Sequence, residues 1–162
     1  MRIPGISEIR KELKFLDEKK LIELVLDLGK LNRENKAYLY FKLFEEDNPR
    51  LFIEMVQEEL MTEFQKANTN HYHFAKKSAQ AIRRKLNKNL KLTKDKAAHI
   101  DLLVFFCRKL KEYGYLDFRH PVIDNVYLMQ MTKIEKLIAG LHEDLQYDYN
   151  KELEELRETS PR

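Results

Sequence analysis

Apolar residues recur at intervals of three and four along almost the whole chain, and strict alternation of apolar and polar residues is absent. Such spacing is typical of amphipathic helices. Only four glycines and four prolines interrupt the pattern, which argues against a sheet protein, because sheets need turn residues at closer intervals. The sequence predicts an all-α fold of six or seven mostly antiparallel helices, arranged as an irregular bundle or a short α-superhelix.

Capping residues mark where several of these helices begin. The predicted N-terminal signals are Ser7, Asp17, Asn48–Pro49 and Thr93. Serine, threonine, aspartate and asparagine accept hydrogen bonds from the free amides of a first helical turn, and proline tolerates the first helical position. Gly114 follows an apolar run and is predicted to adopt the left-handed conformation that ends a helix.

Two segments supply the predicted core. The fifth helix has a stripe with spacings of four, three and four, formed by Ala75, Ala79, Ile82 and Leu86. Within the predicted helix from 100 to 110, the run from 102 to 107 is apolar on every side, which is typical of a helix buried among neighbours. We therefore predict that this helix is central and that Phe105, Phe106 and Leu110 are buried.

The last region continues a helical stripe almost to the C-terminus, but Gly140 interrupts it. A glycine within a helix costs about 1 kcal/mol relative to alanine. The sequence allows either one long helix or two shorter ones separated at Gly140.

The length of 162 residues fits a single helical domain spanning residues 1–162. Cys107 is the only cysteine, so an intramolecular disulfide is excluded. The first five residues contain no apolar stretch of the length that a signal peptide requires, and no run approaches the roughly 20 apolar residues of a membrane span. We expect a cytoplasmic protein that does not act in a membrane.

Charge is segregated along the chain. Residues 76–96 carry nine basic side chains and one acid, whereas residues 141–162 carry a net charge of −4. The side chains predicted to face away from the buried stripe are Lys77, Arg84, Lys88 and Lys91. Such a face is a candidate polyanion-binding surface, although a basic face also keeps a helix solvated. The acidic C-terminal helix is expected to dock on the basic region, within one chain or across a dimer, or on a partner.

No catalytic, cofactor or metal motif is complete. In the segment His142-Glu143-Asp144-Leu145-Gln146, glutamine stands where a zinc protease needs its second histidine. His71 and His73 have no neighbouring acid or cysteine to complete a metal site, and no histidine follows a glutamate at the spacing that di-metal helical sites use. Cys107 ends an apolar run, where burial suppresses the thiolate. We therefore assign no catalytic, metal or cofactor-binding residue.

The opening pattern, Leu13-Lys14-Phe15-Leu16-Asp17 followed by residues 18–28, resembles the start of a bacterial family of small all-helical proteins of unknown function. The likeness continues through residues 75–84 and 100–106. The resemblance implies an all-helical fold, and it carries no activity, cofactor or site.

These observations predict a non-enzymatic cytoplasmic protein that acts by binding a macromolecule, with another protein or a second copy as the partner. An enzyme is not expected, because no constellation supplies both a reacting group and a group to activate it. The alternative is a nucleic-acid-binding module that uses the basic helix face at residues 76–91.

Overall fold

The computed structural model describes residues 3–45, 47–158 and 160–161. Of the segments discussed above, Met1 and Arg2 at the N-terminus and Thr159 and Arg162 in the acidic tail lie outside the described residues. The described chain is all-α, without β-strands, and it contains one short 3₁₀ helix and eight α-helices, where the sequence predicts six or seven. The α-helices are α1 (Ile6–Leu13), α2 (Glu18–Leu31), α3 (Arg33–Phe44), α4 (Leu51–Lys66), α5 (Tyr72–Leu90), α6 (Lys96–Glu112), α7 (Pro121–Ile138) and α8 (Glu143–Glu158), and the 3₁₀ helix spans Tyr115–Phe118.

The described helices pack as two compact units. The first unit is Met1–Phe44 and the second is Glu45–Arg162. Helical periodicity shows which residues share a face but not which faces meet, so it does not reveal this division.

In the first unit α2 packs against α3. Gly29 is buried where the two helices approach, and a Cβ atom at this position would lie 2.8 Å from Cδ1 of Leu39. Phe41 is the buried residue that α3 contributes. A larger residue at position 29 would therefore require the Leu39 side chain to shift.

In the second unit α6 packs against α4, α5, α7, α8 and the 3₁₀ helix, which confirms it as the central helix of this unit. Phe106 and Leu110 are fully buried, as predicted. Phe105 is only half-buried, and Nζ of Lys109 lies 5.6 Å from the centre of its ring, so the prediction for Phe105 is wrong. The predicted stripe of α5 is confirmed, because Ala75, Ala79, Ile82 and Leu86 are all buried.

The helix boundaries confirm some of the predicted caps. Asp17 accepts a hydrogen bond from the Lys20 amide at 2.8 Å, and Gly114 has a left-handed φ of 73°. The other starts are shifted. Gly5 replaces Ser7 as the N-cap of α1, and Asp95 replaces Thr93 as the N-cap of α6.

The Thr93 hydroxyl instead accepts a hydrogen bond from the Asp95 amide at 3.2 Å. Asn48 likewise accepts from the Arg50 amide at 3.2 Å, so it orders the turn before α4, whose N-cap is Arg50. The chain breaks around Gly140, which makes the last region two helices.

Candidate functional site

The predicted basic face lies on the exposed side of α5. Lys77, Arg84 and Lys88 are exposed along the helix, and Lys91 is exposed at its C-cap. Within the described residues, no ion pair involves Lys77, Arg84 or Lys91. The face is therefore accessible to an anionic ligand.

A second side of α5 is neutralised by α4. Nζ of Lys85 lies 2.9 Å from Glu63 and 3.4 Å from Glu59, and the hydrogen bond to Glu63 raises the pKa of Lys85. Asn89 also donates to Glu59 at 3.0 Å. Within the basic run, Lys85 is therefore paired with carboxylates of α4, whereas Lys77, Arg84 and Lys88 are exposed on the outer side of α5.

An open pocket of about 710 Å³ lies where the end of α5, the residues that lead into α6, and the last turns of α7 come together. We call it the lysine pocket. Its cationic side chains are Lys91, Lys94, Lys96, Lys133 and Lys136. Leu90, Leu103 and Leu137 supply its apolar lining, and no carboxylate is among the described residues that line it.

Two of these lysines bind neutral acceptors. Lys96 donates to the Gly140 carbonyl at 3.0 Å, and Lys133 donates to the Asn87 side-chain oxygen at 3.4 Å. Burial lowers the pKa of Lys133, and nearby Arg83 lowers it further. Of the predicted polyanion-binding residues, Lys91 alone lines this pocket.

The first unit exposes a row of leucines on α2. Leu24, Leu28 and Leu31 are 40%, 49% and 72% exposed, and we call these three residues the leucine row. At 100° per residue they lie about 100° to 160° around the helix from Gly29, which faces α3. The leucine row therefore lies on a side of α2 different from the side packed against α3.

Histidines begin three of the helices. The Nδ1 atoms of His71, His120 and His142 accept backbone amides two residues later, at 3.3, 3.2 and 3.4 Å. His99 donates from Nε2 to the Thr93 carbonyl at 2.9 Å. No group of three or more metal-ligating side chains occurs in the described part of the chain.

Cys107 is fully buried, and burial raises the pKa of its thiol. A protonated, inaccessible thiol is a poor nucleophile. Among the acids of α8, Glu152 forms an ion pair with Arg108 at 3.3 Å. Cys107 therefore lies in the core, and Glu152 lies in a surface ion pair.

Sequence reasoning found the basic face but missed the lysine pocket and the leucine row. Lys94 and Lys96 belong to the basic run, whereas Lys133 and Lys136 lie some forty positions later, and periodicity does not connect the two pairs. Across the described residues, none of the helices combines the length and apolar character needed to cross a bilayer. No family model, curated protein or solved structure matches this chain.

Proposed function

We propose that this is a non-enzymatic, cytoplasmic protein that works by protein–protein association, and that the first unit is the associating part. The helices of the second unit supply most of the buried core. Two points inferred from the sequence remain predictions. They are the resemblance to a bacterial family of helical proteins and the mostly antiparallel arrangement of the helices.

One observation carries this proposal. Of the large apolar side chains that the described residues expose, fourteen lie in the first 44 residues and seven in the remaining 118. Soluble monomers rarely expose large contiguous apolar patches, and such patches mark interaction sites. Phe15, Ile6 and Leu43, exposed by 83%, 74% and 74%, are the most exposed of these residues.

The leucine row has the geometry of a helix-binding surface. Its members are separated by four and three residues, which places them on one side of α2 at the spacing used when helices pack together. Two charge pairs lie nearby, within α2 or at its cap, Lys30 with Asp27 at 3.0 Å and Lys20 with Asp17 at 3.6 Å. The leucine row itself is apolar, so it favours an apolar helix as its partner.

The occupant that we propose is a second copy of this chain. Permanent interfaces between identical chains are more apolar than transient ones, and a stable interface buries about 800 Å² per partner, contributed by about 20–30 residues. The 44 residues of the first unit can supply a surface of this kind. Protein units of this size commonly need oligomerisation, because they bury too little surface alone. The leucine row of one chain would pack against the same row of the other, as in a two-fold symmetric interface.

This arrangement predicts a dimer that depends on the leucine row. We expect Leu24→Gln, Leu28→Gln and Leu31→Gln, combined, to weaken association by at least about 100-fold, because several kcal/mol of apolar burial are lost from the interface. Sedimentation equilibrium over a range of protein concentrations measures the dissociation constant.

The matched control replaces three exposed apolar residues of the second unit, with Met55→Gln, Leu128→Gln and Leu145→Gln combined. This variant should dimerise as the parent does. A parent protein that is monomeric at about 100 μM, a concentration at which even weak dimers with micromolar constants form, would overturn the second-copy proposal. Equal weakening by both variants would also overturn it.

Nucleic-acid binding is the second candidate function, and it is favoured by the exposure of all four predicted basic residues on α5. Four phosphate contacts imply that affinity for duplex DNA falls by about 100-fold between 50 and 200 mM salt. Combined Lys77→Glu, Arg84→Glu and Lys88→Glu should abolish binding, as measured by fluorescence anisotropy.

The control makes the same charge change elsewhere, with Lys14→Glu, Lys19→Glu and Lys36→Glu. These exposed lysines of the first unit match the number and kind of reversed charges. Equal loss of affinity in both variants would show a nonspecific effect of net charge. No binding at low salt would remove this candidate function.

A further inference from the structure

The lysine pocket lacks the carboxylates that neutralise several other basic side chains of the second unit. Arg108 lies 3.1 Å from Glu155, Arg157 pairs with Glu135 at 2.7 Å, and Lys85 pairs with two glutamates of α4. None of the five pocket lysines forms an ion pair with any described residue.

Convergence of like charges without a counter-charge destabilises a folded protein, and an anionic ligand relieves that repulsion. The lysines come from three different segments of the chain: Lys91 and Lys94 follow α5, Lys96 begins α6, and Lys133 and Lys136 belong to α7. Because α5, α6 and α7 pack together, the lysines of these segments line one pocket. The charge cluster is thus a product of the tertiary fold.

The lining is also partly apolar. Leu103 is 1% exposed and belongs to the core of α6, whereas Leu90 and Leu137 are half-buried. Pockets of roughly 300–1,000 Å³ with an apolar lining and a few polar groups are typical of small-molecule sites. Lysine ammonium groups bind phosphate oxygens as mobile point charges, without the planar geometry that arginine imposes.

We propose that the lysine pocket binds a small organic polyphosphate, whose phosphates contact the lysines and whose apolar or aromatic part lies against the leucines. The ligand carries several negative charges, because a single phosphate leaves most of the lysine charge uncompensated. This inference does not rest on the association of the first unit, since all the pocket residues lie in the second.

Isothermal titration calorimetry with ATP and with inorganic tripolyphosphate tests the proposal on the full chain. We expect ATP to bind at about 0.1 M salt with a dissociation constant in the micromolar range, a typical affinity for a small ligand held by a few charges. Tripolyphosphate should bind more weakly than ATP, and adenosine should not bind detectably.

Combined Lys133→Gln and Lys136→Gln should weaken ATP binding by at least about 10-fold, because two charge-assisted contacts are lost. Lys133→Arg with Lys136→Arg should restore most of the affinity, and an unchanged melting temperature shows that the variants are folded. Leu137→Ala should weaken ATP binding while leaving tripolyphosphate binding unchanged.

The matched control is Lys77→Gln with Lys88→Gln, which removes two exposed charges of α5 that do not line the pocket. This control should bind ATP as the parent does. Equal loss in the control and the pocket variant would overturn the proposal, as would dissociation constants above about 1 mM for both ATP and tripolyphosphate. Single-stranded oligonucleotide binding that depends on Lys133 and Lys136, without ATP binding, would assign the pocket to nucleic acid and also overturn it.

Discussion

Phe106→Ala is expected to lower the free energy of unfolding of the second unit by about 3 to 5 kcal/mol, the usual range for removing a buried phenyl ring. Phe106 is fully buried on α6, and its ring centre lies 5.8 Å from that of Phe64. Phe64 in turn contacts Tyr113 and Tyr115, with ring centres 5.5 and 5.8 Å away. Truncation would leave a cavity beside an aromatic cluster that joins α4, α6 and the 3₁₀ helix.

Urea unfolding followed by far-ultraviolet circular dichroism measures this loss. The adjacent residue provides the matched control, because Phe105 is the same residue type on the same helix but is only half-buried. Phe105→Ala should cost clearly less than Phe106→Ala, on the order of 1 kcal/mol. Equal costs at the two positions, or a Phe106→Ala variant as stable as the parent, would contradict the central position of Phe106.

Deletion of residues 141–162 should destabilise the second unit by about 4 to 9 kcal/mol. Helix α8 buries Leu153 and Leu156, each 3% exposed, against the α6 and α7 side of the unit, and each leucine contributes about 1.5–3 kcal/mol. The Tyr127 hydroxyl donates to the Leu156 carbonyl at 2.8 Å, and losing a buried partner of this kind costs about another 1–3 kcal/mol. The loss approaches the whole stability of an ordinary domain, about 5–15 kcal/mol.

Thermal unfolding of the truncated and full-length proteins measures the effect. Within α8, Leu156→Ala should cost several kcal/mol, whereas Leu145→Ala, at a residue 46% exposed, should cost little. The ion pairs of Arg108 with Glu152 and Glu155 are exposed and contribute only about 0.2–1 kcal/mol each. An unchanged melting temperature and oligomeric state after deletion would show that the segment is a solvated extension.

The same deletion removes the acidic partners of Arg108 and adds net positive charge to the chain. If the basic face of α5 binds polyanions, their affinity should rise in any truncated protein that remains folded. Comparing DNA affinity at low salt before and after truncation tests this coupling separately from stability.

The all-α class and much of the second core could be predicted from the sequence, because burial on one side of a helix leaves a periodic pattern. Ala79 and Ile82 of α5 illustrate this, as both are buried where the period places them. Phe105 shows the limit of the argument. An all-round apolar run predicts burial on every side, but the position of each neighbouring helix decides which residue is left partly exposed.

Helix starts were predictable only to within a few residues. Thr93 and Asp95 are both good capping residues, and the structure uses Asp95 as the N-cap while Thr93 orders the preceding turn. The leucine row and the lysine pocket were not predictable for another reason. The exposure of Leu28 depends on which helix surfaces pack together. The pocket depends on tertiary packing that brings Lys96 of α6 and Lys133 of α7 to the same cavity.

The helices that begin at histidine caps differ in the charge of their first turns. Each ring nitrogen of His71, His120 and His142 that accepts a backbone amide satisfies one free donor of a first helical turn, and negative charge nearby stabilises the positive end of the helix dipole. Asp124 lies in the first turn of α7, and Glu143 and Asp144 lie in that of α8, so both helices retain compensating negative charge. The first turn of α5 contains no acid. At constant pH, amide hydrogens at the beginning of α5 should therefore be less protected from exchange than those at the beginnings of α7 and α8.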